Sequence, residues 1–238
     1  MVIDVWRDDG WRIQSARSPE IEELLIHLTT ISLSDSPSSP LWLVNGKAQK
    51  SFSSAQVYRS LLEPLPNVPW YSLIWIKNGI PKHMTLAWLM LLNRSPTRDR
   101  LLSWGLQTDS MCLLCNRESE SRNHLFLSCS YSSAVWSHFA AGLGLTPQSS
   151  SWEDTTHSLL SQTGNKQKIY LSTLAWQATI YELWWERNNR LHRRIYHSQD
   201  RIIKRIAIII RNRISSLRPH RSALASDLSQ LWFTLFPS

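Results

Sequence analysis

The chain has 238 residues, enough for one large domain or two small ones, with a net charge of +8 and a pI near 9.7. Its 42% hydrophobic content is that of an ordinary globular protein, and an anionic partner suits the charge. No apolar run approaches the ~20 residues of a membrane span, the N-terminus lacks a signal core, and three cysteines in this length exclude a secreted disulfide scaffold. An intracellular, reducing compartment is expected, with nucleus and cytoplasm not distinguished. Thirteen Trp against seven Gly point to thick helical packing rather than a loop-rich barrel.

Residues 2 to 13 read as a small hairpin turning at Asp9-Gly10. The string Trp6-Arg7-Asp8-Asp9 has the look of a polymerase aspartate hairpin, but two-metal chemistry needs a further carboxylate on a neighbouring strand, and no palm domain fits upstream of residue 6. Ser18 and Pro19 open a helix with Ile21, Leu24, Leu25 and Leu28 as its apolar stripe. Residues 34 to 40 are a Ser/Pro linker. A second hairpin, from Leu41 to Phe52, turns at Asn45-Gly46, and Ser53 or Ser54 caps a short helix after it. Pro81 starts a helix to Leu92 that is apolar nearly all round and is expected at the centre of the core. Ser95-Pro96 opens another, with Leu101, Leu102 and Trp104 inside it and Gly105 closing it.

That helix leads into Cys112-x2-Cys115-x8-His124-x4-Cys129, which uses every cysteine in the chain. Two ligands on a tight turn plus a His and a Cys from a second element can close a tetrahedral shell around Zn²⁺. His124 and Cys129 lie five apart, about 7.5 Å of rise in an ideal α-helix, so the turn is expected to tighten or end near Ser128. Four protein ligands make such a site structural, with no open position for water. Three buried or free thiols beside a surface histidine are the alternative.

Ser132 to Leu143 reads as a helix with Val135, Trp136 and Phe139 inward, and residues 142 to 151 as a boundary. The C-terminal third is helical and basic: a long helix from Ile169 to Arg194, another from about Ser198 to Leu217 with isoleucines at helical spacing, and a short apolar tail after Pro219. Between Arg187 and Arg221 stand ten Arg and one Lys against one acid, Asp200, a net of +10 that leaves the rest of the chain at −2. Arg187, Arg190, Arg193, Arg194, Arg201, Lys204, Arg205 and Arg211 are the candidate phosphate-binding residues; the opposing reading is a solvated helix face. Of these, Arg190, Arg193, Arg194, Lys204, Arg205 and Arg211 are expected to point outward. No histidine has a nucleophile or carboxylate at catalytic spacing, and His192 and His197 are expected to add to the basic surface.

A series of words in the middle of the chain resembles the zinc-binding region that follows the reverse transcriptase in plant LINE-type (non-LTR) retrotransposon proteins. They are "LIWIKNGIPKHMTLAWL" around Trp75 and Trp88, Asn93-Arg94-Ser95-Pro96-Thr97-Arg98-Asp99-Arg100-Leu101, Ser103-Trp104-Gly105, the Cys112 to Cys129 cluster, and Val135-Trp136. The resemblance implies that Cys112, Cys115, His124 and Cys129 are structural zinc ligands. It also implies that RNA or DNA and the parent element's reverse transcriptase domain are the partners, without a small-molecule substrate. The eighteen acids are scattered, so neither polymerase nor RNase H chemistry is expected.

The reading is therefore a mainly α, zinc-stapled helical domain with short N-terminal β-hairpins and a basic C-terminal helical extension. Its parts would be an N-terminal segment (1–40), a zinc-binding domain (41–145) and a basic helical region (152–238). The expected function is non-catalytic nucleic-acid binding that assists a reverse transcriptase. The alternatives are a structural fragment docking on the polymerase, for which an exposed 202 to 214 isoleucine stripe would speak, and a degenerate remnant without selected function.

Overall fold

The computed structural model describes residues 6–7, 10–11, 18–31, 41–44, 46–62, 66–145 and 151–237. Contacts divide the chain into two units, 1–66 and 67–238.

In the first unit, β1 (Trp6–Arg7) pairs antiparallel with β2 (Gly10–Trp11). Gly10, expected in the turn, stands in β2 opposite Arg7. The rest of that expected hairpin, and the 34 to 40 linker, lie outside the described residues. α1 (Pro19–Thr29) starts as the sequence indicates, with the Ser18 hydroxyl accepting from the Ile21 N–H. Its stripe does not form a core: Ile21 and Leu24 are exposed, and no α1 residue is buried. β3 (Trp42–Val44) and β4 (Lys47–Gln49) form the second hairpin with Val44 opposite Lys47. Gly46 takes the positive φ of +73° that the expected turn requires, and Asn45 lies outside the described residues. Ser53 caps α2 (Ser54–Leu61).

The second unit is helical among its described residues. Its axis is α8 (Lys166–Arg193), capped by Asn165, whose side-chain oxygen accepts from the Lys168 N–H. All ten residues from Leu171 to Ile180 are buried. No charge interrupts positions 169 to 181, and Ser172, Thr173, Ala175, Ala178 and Thr179 let neighbouring backbones approach closely. The hydroxyls of Ser172 and Thr173 donate back to the carbonyls of Lys168 and Ile169, so their burial leaves no orphan donor.

Around this axis pack α4 (Pro81–Leu91), α6 (Ser130–Gly142), α7 (Trp152–Leu160), α9 (Gln199–Ser216) and α10 (Ser222–Leu235). The central helix is thus α8 rather than α4, which buries only the strip His83, Ala87 and Met90. α9 returns along α8 through its stripe of Ile202, Ile206, Ile210 and Ile214, all buried. The apolar tail after Pro219 is the helix α10, with Ala225, Leu228 and Trp232 inward. Its end closes on α6, where a Cβ at Gly142 would run into the Phe236 ring.

Two short elements connect this frame to the cysteine segment. The Gln177 amide, deep in α8, donates to the carbonyls of Leu73 and Ile74 and so ends α3 (Tyr71–Ile74). α5 (Arg98–Ser103) is closed by Gly105 at φ +80°, with the Leu106 N–H on the Leu101 carbonyl and the Gly105 N–H on Leu102. Leu102 and Trp104, expected inside, are exposed; the buried residue of α5 is Arg98.

Candidate metal centre

Residues 110 to 120 form a miniature hairpin. Met111 bridges Ser119, the Cys112 N–H donates to the Glu118 carbonyl at 2.7 Å, and the Glu120 N–H donates to Ser110 at 2.7 Å. Cys112 and Cys115 stand at its tip, where the Asn116 N–H closes on the Cys112 carbonyl and Asn116 takes φ +52°. Asparagine tolerates this left-handed conformation better than most side chains.

The other two ligands come from a π turn over His124–Ser128. The Cys129 N–H reaches back five residues to the His124 carbonyl at 2.8 Å. Of the two expected outcomes, the turn ends at Ser128 rather than tightening, and within His124–Ser128 it widens. An i→i−5 turn puts residues five apart one above the other, as an α-turn does for residues four apart. The Leu125 carbonyl accepts from the Ser132 hydroxyl, and the Ser121 hydroxyl accepts from the His124 N–H.

The ligand atoms of Cys112, Cys115, His124 and Cys129 lie within 4.8 Å of one another. Cys112 Sγ and Cys129 Sγ are 4.0 Å apart, and Cys115 Sγ is 3.3 Å from His124 Nε2. A tetrahedral Zn²⁺ with its usual bond lengths needs S···S near ~3.8 Å and S···N slightly less, so the four residues fit that ion and its soft, borderline donor preference. Cys112 and Cys129 are fully buried, and Leu125, Phe126 and Leu127 cover the site. Nε2 of His124 faces the sulfurs, while Nδ1 faces Glu118 Oε2 at 3.2 Å and Ser128 Oγ at 3.3 Å. A carboxylate on the far nitrogen fixes the ring and its tautomer. With the thiols alone, the Cys129 thiol is pulled down to about 5, first by the hydrogen bond from Cys112 and then by backbone N–H groups of Ser132 and Tyr131, against the cost of burial. Cys112 is correspondingly pushed up.

What holds this centre in place is the basic end of α8. Glu120, at the base of the hairpin, has its side chain fully buried. Its carboxylate accepts from the Arg187 guanidinium at 2.9 Å, from the Arg98 backbone N–H that begins α5 at 3.0 Å, and from the Leu113 N–H. One turn later the Arg190 guanidinium donates to the carbonyls of Leu113 and Leu114, between the first two cysteines, and to Glu186 at 2.7 Å. Glu186 also accepts from the backbone N–H and ring of His197. Burial alone would raise the Glu186 carboxyl; the hydrogen bonds from His197 and Arg190 outweigh it and hold it low. Arg122 ends α4 by donating to the Met90 and Leu91 carbonyls.

Two of the eight basic residues proposed from sequence, Arg187 and Arg190, are therefore committed inside the protein, and a third, Arg205, is paired with its side chain 35% exposed. Arg187 is 2% exposed on Glu120. Arg190 is locked on Glu186 and the hairpin, and Arg205 pairs with Glu182 at 2.8 Å over the Trp185 ring. The expectation that Arg190 points outward is corrected, as is that for His197, which pairs with Glu186 instead of adding to the surface. The reason lies just outside the stretch that was counted: Glu182 and Glu186 sit on α8 upstream of Arg187, and Glu120 lies far away in sequence. Arg193, Arg194, Arg201, Lys204 and Arg211 are exposed, and among the described residues none of them has an acidic partner. Arg201, Lys204 and Arg211 share one side of α9; Arg193 and Arg194 end α8.

The fold is mainly helical, with a Cys3His cluster that could hold a metal ion. Residues 52–136 match the model of a family described as zinc-binding in reverse transcriptase, which supports a reverse transcriptase zinc-binding domain here. Neither the curated proteins nor the solved structures give a match. No helix among the described residues is long and apolar enough to cross a membrane.

Proposed function

We propose that this chain is a non-catalytic module, derived from the C-terminal part of a plant LINE-type retrotransposon protein, that holds RNA or DNA for a reverse transcriptase. Four protein side chains fill a tetrahedral shell, so bound zinc would supply folding energy rather than an activated water. The chain's own groups do the rest. Glu120, Arg187 and Arg190 fix the cysteine hairpin against α8. The observation that carries the reading is the remainder of the charge: Arg193, Arg194, Arg201, Lys204 and Arg211 stay exposed after every internal pair is made. Phosphates are the partner that such unpaired cations favour.

The docking alternative loses its main support, because the isoleucine stripe of α9 is buried against the unit's own helices.

The test is metal content followed by salt-titrated binding. Purified protein should carry one zinc per chain, and Cys112→Ser and Cys129→Ser should lose it. The zinc-loaded protein should bind oligonucleotides with log K falling linearly in log salt, no more steeply than about −3.5 on a single strand if all five cations engage. A folded, zinc-loaded chain that binds no oligonucleotide at low salt refutes the reading.

A further inference from the structure

We propose that the groove between α4 and α8 holds an unpaired stretch of a single strand, with a base on Trp184 and successive backbone phosphates on Lys82 at one end and Arg193 at the other. This rests on the nucleic-acid reading above and names where that ligand sits. The groove encloses about 650 Å³, within the usual range of small-ligand sites.

Its lining contains three basic side chains, Lys82, His192 and Arg193, and no carboxylate. That charge pattern suits an anion, and it is local: the acids of this part of α8, Glu182 and Glu186, are buried and face Arg205, Arg190 and His197. The walls are apolar and aromatic, the combination that single-strand binding uses to track phosphates while stacking bases.

The aromatic rings are not equivalent. Trp185 already carries the Arg205 guanidinium at 3.7 Å and the His197 ring at 5.3 Å. Tyr181 carries His83 at 4.3 Å and Lys82 Nζ at 4.7 Å. Trp184, half-buried against the core, has one ring partner among the described residues, the Arg187 guanidinium at 5.0 Å, and so is the ring left for a base. Asn189, also in the lining, is 5% exposed, and its side-chain nitrogen has no hydrogen-bond partner among the described residues. A buried amide donor without a partner carries a desolvation cost that a base edge would relieve. A base in a duplex has its faces covered by its neighbours, so the groove favours unpaired strands.

The experiment uses the full zinc-loaded chain with labelled oligothymidylate, oligouridylate and a hairpin duplex. The wild type should bind single strands more tightly than duplex. Trp184→Leu should weaken single-strand binding about 5- to 150-fold, the range for losing one stacked base. Lys82→Gln with Arg193→Gln, checked for unchanged zinc content and helical circular dichroism, should flatten the single-strand salt slope by about 0.7 per lost phosphate contact. Lys204→Glu with Arg211→Glu on α9 should weaken single strand and duplex alike.

Two results overturn the groove while leaving nucleic-acid binding intact. One is wild-type affinity in the groove variants with loss in the α9 pair; the other is duplex bound as tightly as single strand. A wild type that binds no oligonucleotide overturns the broader reading as well.

Discussion

Arg187 and Glu120, sixty-seven positions apart, meet at 2.9 Å with side chains 3% and 0% exposed. This pair ties the long helix to the base of the cysteine hairpin. Removing one partner of a buried pair leaves the other charge uncompensated, at a cost of about 3–5 kcal/mol. Arg187→Met should therefore lower the unfolding free energy of the zinc-loaded protein by that amount in denaturant titration. Arg187→Met with Glu120→Leu should recover part of it but not all, because Glu120 also accepts from the Arg98 and Leu113 N–H groups. A single variant within about 0.5 kcal/mol of wild type, the range of an ordinary surface change, would show the pair to be incidental.

Metal affinity should respond to groups that touch the ligands without being ligands. Glu118 faces Nδ1 of His124, the nitrogen turned away from the sulfurs. Loss of such a partner typically weakens metal binding by about 10–100-fold. Glu118 is 68% exposed, which places Glu118→Ala toward the tenfold end. Competition with a calibrated chelator measures this, and an unchanged zinc Kd would mean that Ser128 alone orients the ring.

His83 gives the protein an acid-sensitive term. It is fully buried, stacks on Tyr181, and has no partner for either ring nitrogen among the described residues. Burial, and secondarily the charge of Lys82, push it from 6.5 down to about 4. As pH falls through 6.5 the unfolded chain takes up a proton that the folded chain refuses until about 4. Stability therefore drops across that window and is flat above it, by a total of about 3 kcal/mol. His83→Phe keeps the stacking and removes the titration. The difference in unfolding free energy between the variant and wild type should grow by about this amount from pH 7 to pH 4, while zinc release cancels in the comparison. Parallel curves would rule the effect out.

The ligand set was legible because spacing alone identifies it: a pair two apart, then a His and a Cys, with no thiol left over. The cap at Ser18, and that of α2 narrowed to Ser53 or Ser54, were legible for a similar reason, since each is a local rule satisfied by adjacent residues. Position within the core was not. α4 is the more apolar helix to the eye, yet α8 is the one surrounded, and its signal was the absence of charge from 169 to 181 rather than the presence of leucine. The committed arginines were missed because charge was counted along the chain. Glu186 and Arg190 stand four apart on one helix, a pairing the sequence does contain; Glu120 and Arg187 meet only through the fold. The π turn left no mark beyond the awkward five-residue interval, which admitted both a tightened and a widened solution.

The family match ends at residue 136, but the wall behind the cysteine hairpin is built from the long helix that begins thirty residues later. A gene fragment cut to the matched segment would keep every sulfur and the imidazole, yet strand the Glu120 carboxylate without its guanidinium and lay bare the inner sides of Val135 and Trp136. Expression of the metal-binding stretch by itself should thus yield an aggregation-prone peptide, and the smallest soluble piece should run from about residue 67 through the final helix.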